Sequence, residues 1–172
     1  MLKKFYSEYK DFLFIFCFAF LFMFVLNIQV VNGASMQPTL YNKDVLIGER
    51  ISVYQDNIQR GDIITFNSDL PSTLGRKKIL VKRVIGIPND KVQIKNGLVY
   101  INDEQLTEDY IDNNTTFGDI ELIVPKDKLF VLGDNRENSN DSRSPSVGLV
   151  DVKDVRNRVL FKVFSIGNLS DR

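Results

Sequence analysis

The sequence predicts a mostly-β protein. An apolar N-terminal transmembrane helix is followed by an antiparallel β-sheet domain that carries a small β-hairpin insertion. Three observations lead there. Phe12–Val31 contains no charged residue, and a helix of about 20 apolar residues suffices to cross a bilayer. Downstream, short runs rich in Val, Ile and Phe alternate with Gly, Pro, Asn and Asp, the pattern of strands and tight turns. No alternation of strands with long amphipathic helices follows, so a parallel βαβ sheet is not expected.

Taken in order, Met1–Asp11 is polar and carries Lys3, Lys4 and Lys10. No Lys or Arg recurs until Lys43, so the positive-inside rule places residues 1–11 in the cytoplasm and everything after Val31 outside. Residues 12–31 are thus expected to be a single-pass anchor in the cell membrane. The rival is a cleaved secretory signal ending at Gly33-Ala34, but the apolar core is long for that role. Val45-Leu46-Ile47 and Ile63–Phe66 read as strands, the second entered through Gly61-Asp62. Asp69–Lys78, with Pro71, Gly75 and the triplet Arg76-Lys77-Lys78, reads as an exposed loop, with contact to acidic headgroups of the lipid bilayer as a secondary reading. Val92–Ile101 is a hairpin whose Asn96-Gly97 pair suits the positive φ angles of its turn. Asn102–Gly118 is acidic, lacks apolar periodicity and reads as loop. Ile120–Val124 and Leu129–Leu132 are strands around a Pro125–Lys128 turn, and Val159–Ile166 is the closing strand. Residues 32–90 and 129–172 would make one β domain, with 91–128 as the inserted subdomain.

Composition removes several classes of function. Lys and Arg number 22, as do Asp and Glu, and this balance offers no basic footprint for nucleic acid. The absence of histidine excludes a Ser-His-Asp triad, a Cys-His pair and His-dependent metal sites. Cys17 is the only cysteine, so no intrachain disulfide forms, and its place in the apolar run marks it as a lipid- or helix-facing filler. Any nucleophilic hydrolysis must therefore take a lysine, a carboxylate or a terminal amine as base.

Three stretches bear on chemistry. In NGASMQPTL (Asn32–Leu40), Ser35 follows the small pair Gly33-Ala34 and precedes Pro38, at the outer end of the apolar run. This is either a turn joining anchor to domain or a serine presented as a nucleophile at the membrane surface. In ILVKRVIGI (Ile79–Ile87), Lys82 and Arg83 interrupt an apolar strand. Neighbouring strand residues face opposite ways, so one of the two must face a buried side. Charge guarding an edge strand against aggregation explains this; so does a lysine whose amine burial makes easier to deprotonate. In GDNRENSNDSR (Gly133–Arg143), Asp134 and Asp141 accompany Arg136 and Arg143, with hydroxyls at Ser139 and Ser142. That inventory suits either a solvated loop or a hydrogen-bonded shelf behind a reactive group.

In this order, after an N-terminal anchor, ASMQPTL, VKRVIGIPND and GDNRENSNDSR resemble the conserved boxes of type I signal peptidases, the membrane-bound Ser-Lys proteases that remove signal peptides. GDIITF (Gly61–Phe66) resembles a further box. The resemblance implies Ser35 as nucleophile and Lys82 as general base, with no cofactor and no metal. It implies that Ser139 orients the lysine amine, that Asp141 and Arg143 brace the site and that Arg83 is the structural neighbour of the base. Val31, Met36, Leu40, Leu80 and Val81 fall where the family forms shallow pockets for the Ala-X-Ala pattern of preprotein signal peptides. Gly33 departs from the branch whose serine there helps form the oxyanion hole, leaving the Ser35 backbone amide to act with another donor. It is similar in this to the shorter Gram-positive enzymes. Asn89 stands where glycine is common, and Asn tolerates unusual backbone angles. The alternative is a catalytically inactive relative acting as a membrane-tethered assembly factor or chaperone-like protein.

Overall fold

The structure is a computed structural model that describes residues 9–16, 25–55, 57–71, 77–112 and 115–166. Along the chain the strands are β1 (Leu26–Val30), β2 (Asp44–Glu49), β3 (Ile63–Pro71), β4 (Lys77–Gly86), β5 (Lys91–Lys95), β6 (Leu98–Ile101), β7 (Glu104–Gln105), β8 (Ile120–Ile123), β9 (Lys128–Leu132), β10 (Val150–Asp151) and β11 (Val155–Ser165). A larger sheet runs β1-β2-β11-β3-β4-β9-β10, and a smaller one β7-β6-β5-β8. Every pairing is antiparallel, as the turn-separated short runs predict.

Two buried clusters lie on opposite sides of the β4–β9 pair. Ile85, Phe130 and Leu132 pack with Val92, Ile94, Val99, Ile101 and Val124 of the smaller sheet and its flanks. Val84, Leu129 and Val131 pack with Ile64, Phe66, Val150 and Val155 on the other side. Strands covered on both faces must be apolar throughout rather than alternating, which accounts for the nearly continuous apolar reading of both. The Asn96-Gly97 turn has φ of 52° and 79°, the positive angles expected of a two-residue hairpin loop. Asn89 sits at φ 72°, so its tolerance of unusual angles is used.

The N-terminal expectation is corrected at its outer end. Residues 9–16 are helical and expose Phe12, Leu13, Phe14, Ile15 and Phe16. Residues 1–8 and 17–24, and with them Cys17 and the middle of the expected span, lie outside the described residues. Among the described residues no helix is long and apolar enough to cross a membrane. Leu26–Val30, expected to be helical, is instead β1, paired with β2 from Leu26↔Glu49 to Val30↔Val45. The reason is local: Asn27 and Gln29 alternate with Ile28 and Val30 at the strand period of two, and β2 supplies the backbone partners. The loop expected over Asp69–Lys78 is corrected at both ends. Asp69–Pro71 belongs to β3 and Lys77–Lys78 to β4, with Lys77 ion-paired to Asp69 at 2.8 Å; residues 72–76 lie outside the description. β11 begins at Val155, earlier than the closing strand expected from Val159.

Candidate active site

The nucleophile candidate sits in the turn that leaves β1. Gly33 adopts φ 114° and donates its amide to Asn42 Oδ1 at 3.0 Å, a conformation that glycine reaches without strain. Turn hydrogen bonds follow, Gln37 N to Ala34 O at 3.2 Å and Leu40 N to Met36 O at 2.8 Å. Met36 and Leu40 then plug into a third buried cluster with Val31 and Leu46. Driving the Met36 side chain inward leaves Ser35 half-buried at the surface. Asn135 clamps the same turn from across the site, its backbone amide donating to Ser35 O and its Nδ2 to Ala34 O, each at 3.1 Å. Among the described residues nothing accepts a hydrogen bond from the Ser35 amide.

β4 carries Lys82 opposite Ile64 of β3, and Lys82 is only 2% exposed. Its Nζ donates to Ser35 Oγ at 2.6 Å and to Val81 O at 2.9 Å. The open choice at this strand is thereby decided: Lys82 is a buried amine, not an edge guard. Burial pushes its pKa down from 10.5 to about 8; the negative charges of Asp141 and Asp134 resist the fall and the positive charge of Lys78 assists it.

Arg83, one residue on, faces the other way. Its Nε and Nη2 donate to the two oxygens of Asp134 at 2.9 and 2.7 Å, and its Nη1 to Gly61 O at 2.9 Å. Thr39 Oγ1 donates to the same Asp134 carboxylate at 2.5 Å, tying the serine turn to the acidic loop. Asp141 is fully buried and receives Arg143 Nε and Nη2 at 2.8 and 2.9 Å. Burial opposes its charge, but the Arg143 guanidinium and the Gly133 amide at 3.0 Å hold its carboxyl below the usual range. Among the described residues Ser139 Oγ is buried without meeting hydrogen-bond geometry to any partner, although its hydroxyl is near enough to Asp141 to help keep that carboxyl low. The Lys82 amine bonds Ser35 and Val81, not Ser139. A Cβ on Gly133 would fall 2.2 Å from Ser139 Oγ and 2.4 Å from Ser35 O, so glycine lets the acidic loop close onto the serine turn.

A cleft of about 190 Å³ opens beside the pair, lined by Val31, Met36, Leu80 and Val81 together with Ser35 and Lys82. Leu40 does not line it; it lies beneath, 4% exposed, in the buried cluster. The cleft is bounded by two strands with open edges. β1 ends the sheet order, and β9 pairs with β4 only at Arg83–Gly86, leaving Leu80 and Val81 uncovered on that side. Among the described residues no group of three or more Cys, Asp or Glu is placed to hold a metal ion. Thr39, Asn135, Gly133, Glu108 and Tyr110 were not singled out from sequence. The first three lie in or beside the boxes already recognised, whereas Glu108 and Tyr110 sit in a stretch with no periodicity or motif to mark them.

Over residues 7–164 the chain matches the family described as "Signal peptidase, peptidase S26". It is similar to Signal peptidase I P of Bacillus subtilis subsp. natto, with 38% identity over 138 residues that span 73% of this chain and 70% of that protein. It is also similar to a signal peptidase I of Bacillus amyloliquefaciens, with 35% identity over 152 residues, 81% of this chain and 77% of that one. Among solved structures it is similar to a signal peptidase I from Enterococcus faecalis V583, at 34% identity and a TM-score of 0.49, covering 60% of this chain and 97% of the other. The protein is a serine peptidase and so a hydrolase. It belongs to the peptidase S26 family, as a type I signal peptidase of the Gram-positive type.

Proposed function

We propose that this chain is a membrane-anchored endopeptidase that removes N-terminal signal peptides from preproteins, with Ser35 as nucleophile and Lys82 as general base. The observation that carries the reading is the Lys82 amine, 2% exposed and 2.6 Å from Ser35 Oγ. A base must be neutral to take a proton, and with a pKa of about 8 roughly one lysine in ten is neutral at pH 7, against about one in 2,500 at the ordinary value.

An extended peptide added between the open edges of β1 and β4 would gain main-chain hydrogen bonds from both. Its small side chains would enter the shallow apolar cleft formed by Val31, Met36, Leu80 and Val81, which favours an Ala-X-Ala pattern. Ser35 Oγ then attacks the scissile carbonyl carbon while its proton passes to Lys82 Nζ. The carbonyl oxygen becomes an oxyanion that accepts from the unengaged Ser35 amide. Collapse of the tetrahedral species breaks the C–N bond, and Lys82 returns the proton to the leaving amine. A water deprotonated by Lys82 attacks the acyl-enzyme and releases the signal peptide with Ser35 restored. Ser139, Asp141, Arg143 and Arg83 hold the surroundings of the pair.

The exposed aromatic helix at residues 9–16 and the uncharged residues that follow support an N-terminal anchor, with the N-terminus cytoplasmic and the β domain outside. Residues 32–90 and 129–172 then form the catalytic domain and 91–128 its insertion. A tether at the membrane raises the effective concentration of a substrate delivered in the same bilayer.

The test is cleavage of a purified preprotein in detergent by parent, Ser35→Ala and Lys82→Met proteins, with N-terminal sequencing of the product. Parent cleavage after a small-X-small sequence, with both variants inert, is expected. An inert parent on several preproteins would favour an assembly-factor role instead.

A further inference from the structure

Between β7 and β8, Glu108, Tyr110, Thr116 and Phe117 lie against the site and are fastened there, with buried charge at the centre. Arg136 of the acidic loop has a side chain only 1% exposed, and its partner Glu108 is 7% exposed. Arg136 Nη1 donates to Glu108 Oε2 at 2.9 Å, and its Nη2 pairs with Oε1. Tyr110 donates its hydroxyl to Glu108 Oε1 at 2.7 Å, while its ring lies under the Arg83 guanidinium at 3.9 Å. Burial, and then the Glu108 carboxylate, raise the Tyr110 pKa well above its ordinary value, so the phenol stays a donor throughout the working range. Thr116 Oγ1 and Phe117 O accept from Arg136 and Arg143 at 2.5 and 3.3 Å. One strap thus engages three arginines: the neighbour of the base and both arginines of the acidic loop.

On their other side two of these arginines hold Gly133. Arg136 Nε donates to Gly133 O at 3.1 Å. Arg143 holds Asp141, which accepts the Gly133 amide at 3.0 Å. Gly133 in turn packs directly against Ser35 O, and Asn135, two residues on, clamps the carbonyls of Ala34 and Ser35. A strap that fixes the guanidinium groups therefore fixes the floor on which the serine turn rests.

We propose that Glu108 and Tyr110 are positioning residues for the Ser35–Lys82 pair, acting through Arg136 and Arg83 to hold the acidic loop against the serine turn. This rests on the reading of Ser35 and Lys82 as the catalytic pair. Small misplacements of reacting groups cost far more in turnover than in binding. Loosening the strap should therefore lower kcat and leave KM nearly unchanged, because the cleft is lined by β1, β4 and the serine turn rather than by the strap.

The test uses the full chain in detergent and a preprotein with an Ala-X-Ala site. Active enzyme is counted by titration with a serine-acylating reagent, and the proteins compared are the parent, Ser35→Ala, Glu108→Gln, Tyr110→Leu and Lys91→Gln. The last breaks ion pairs on the smaller sheet, with Asp103 and Glu121, away from the strap. The expected result is a kcat per active site about 10- to 100-fold lower for Glu108→Gln and Tyr110→Leu, with KM within about threefold of the parent. Lys91→Gln should match the parent. A merely structural strap would reduce the number of titratable sites without lowering kcat at each, and that result overturns the proposal. Should Glu108→Gln fail to fold, Tyr110→Leu, which keeps the buried ion pair, decides by the same readout. Equal cleavage by parent and Ser35→Ala would reject the reading of the site itself, and the strap with it.

Discussion

Lys82 shows how one residue's surroundings set its chemistry. Burial disfavours its ammonium form and carries the pKa from 10.5 to about 8, although Asp141 and Asp134 pull the other way. A base that works only when neutral should give a rate that climbs with pH up to that value and then levels. The expected profile of kcat/KM rises about tenfold per pH unit below an apparent pKa of about 8 and is flat above it. Preprotein cleavage measured from pH 6 to pH 10 checks this. An inflection near the ordinary lysine value would mean that the amine is solvated in the working enzyme.

Among the elements, β4 has a buried cluster on each side and Lys82 in its middle. Gly86, at its end, shows how closely the two sheets meet. A Cβ there would lie 2.6 Å from Val92 Cγ2, 3.0 Å from Val124 Cγ2 and 3.2 Å from Phe130 Cβ. Gly86→Ala should therefore cost about 1–3 kcal/mol by overpacking, read as a lower urea midpoint at unchanged slope. The hairpin β5–β6 was legible from Asn96-Gly97, and β4 from its apolar run. β1 was not, because an apolar run that ends in two polar residues reads as helix until β2 supplies a partner edge.

The pH dependence of stability belongs to the whole molecule and has two arms of known sign. Asp44, Glu49, Asp90 and Asp141 each suffer burial, yet hydrogen bonds hold every one below its ordinary pKa; the donors include the amides of Tyr41, Ser52, Ile87 and Gly133 respectively. A depressed carboxyl stabilises the fold above its unfolded pKa and loses that contribution as pH falls through the folded one. Stability should therefore drop on acidification below about pH 4. Lys82 supplies a second arm of the same sign at alkaline pH. Its folded pKa is the lower of the two, so holding it charged costs about 3 kcal/mol below pH 8. That cost is relieved as pH climbs from about 8 towards 10.5. Lys82→Met should raise the neutral-pH urea midpoint and abolish the parent's rise over that alkaline window. A variant curve parallel to the parent's from neutral to alkaline pH would count against a buried charged lysine.

Much of this protein is written along the chain. The period-two runs, the Asn-Gly turn and the absence of histidine are local facts, and they suffice for a mostly-β fold and for the exclusion of any histidine base. The likeness of the three boxes to those of type I signal peptidases is what implies Ser35, Lys82, Asp141 and Arg143 from the sequence. Only the tertiary structure decided which of Lys82 and Arg83 is buried, that Leu40 lies under the cleft rather than in it, and that Glu108 and Tyr110 reach the site at all. Glu108 and Arg136 are 28 residues apart and meet because two sheets fold over one core. A pairing of that kind depends on the path of the whole chain, and neither residue carries a local signal of its partner.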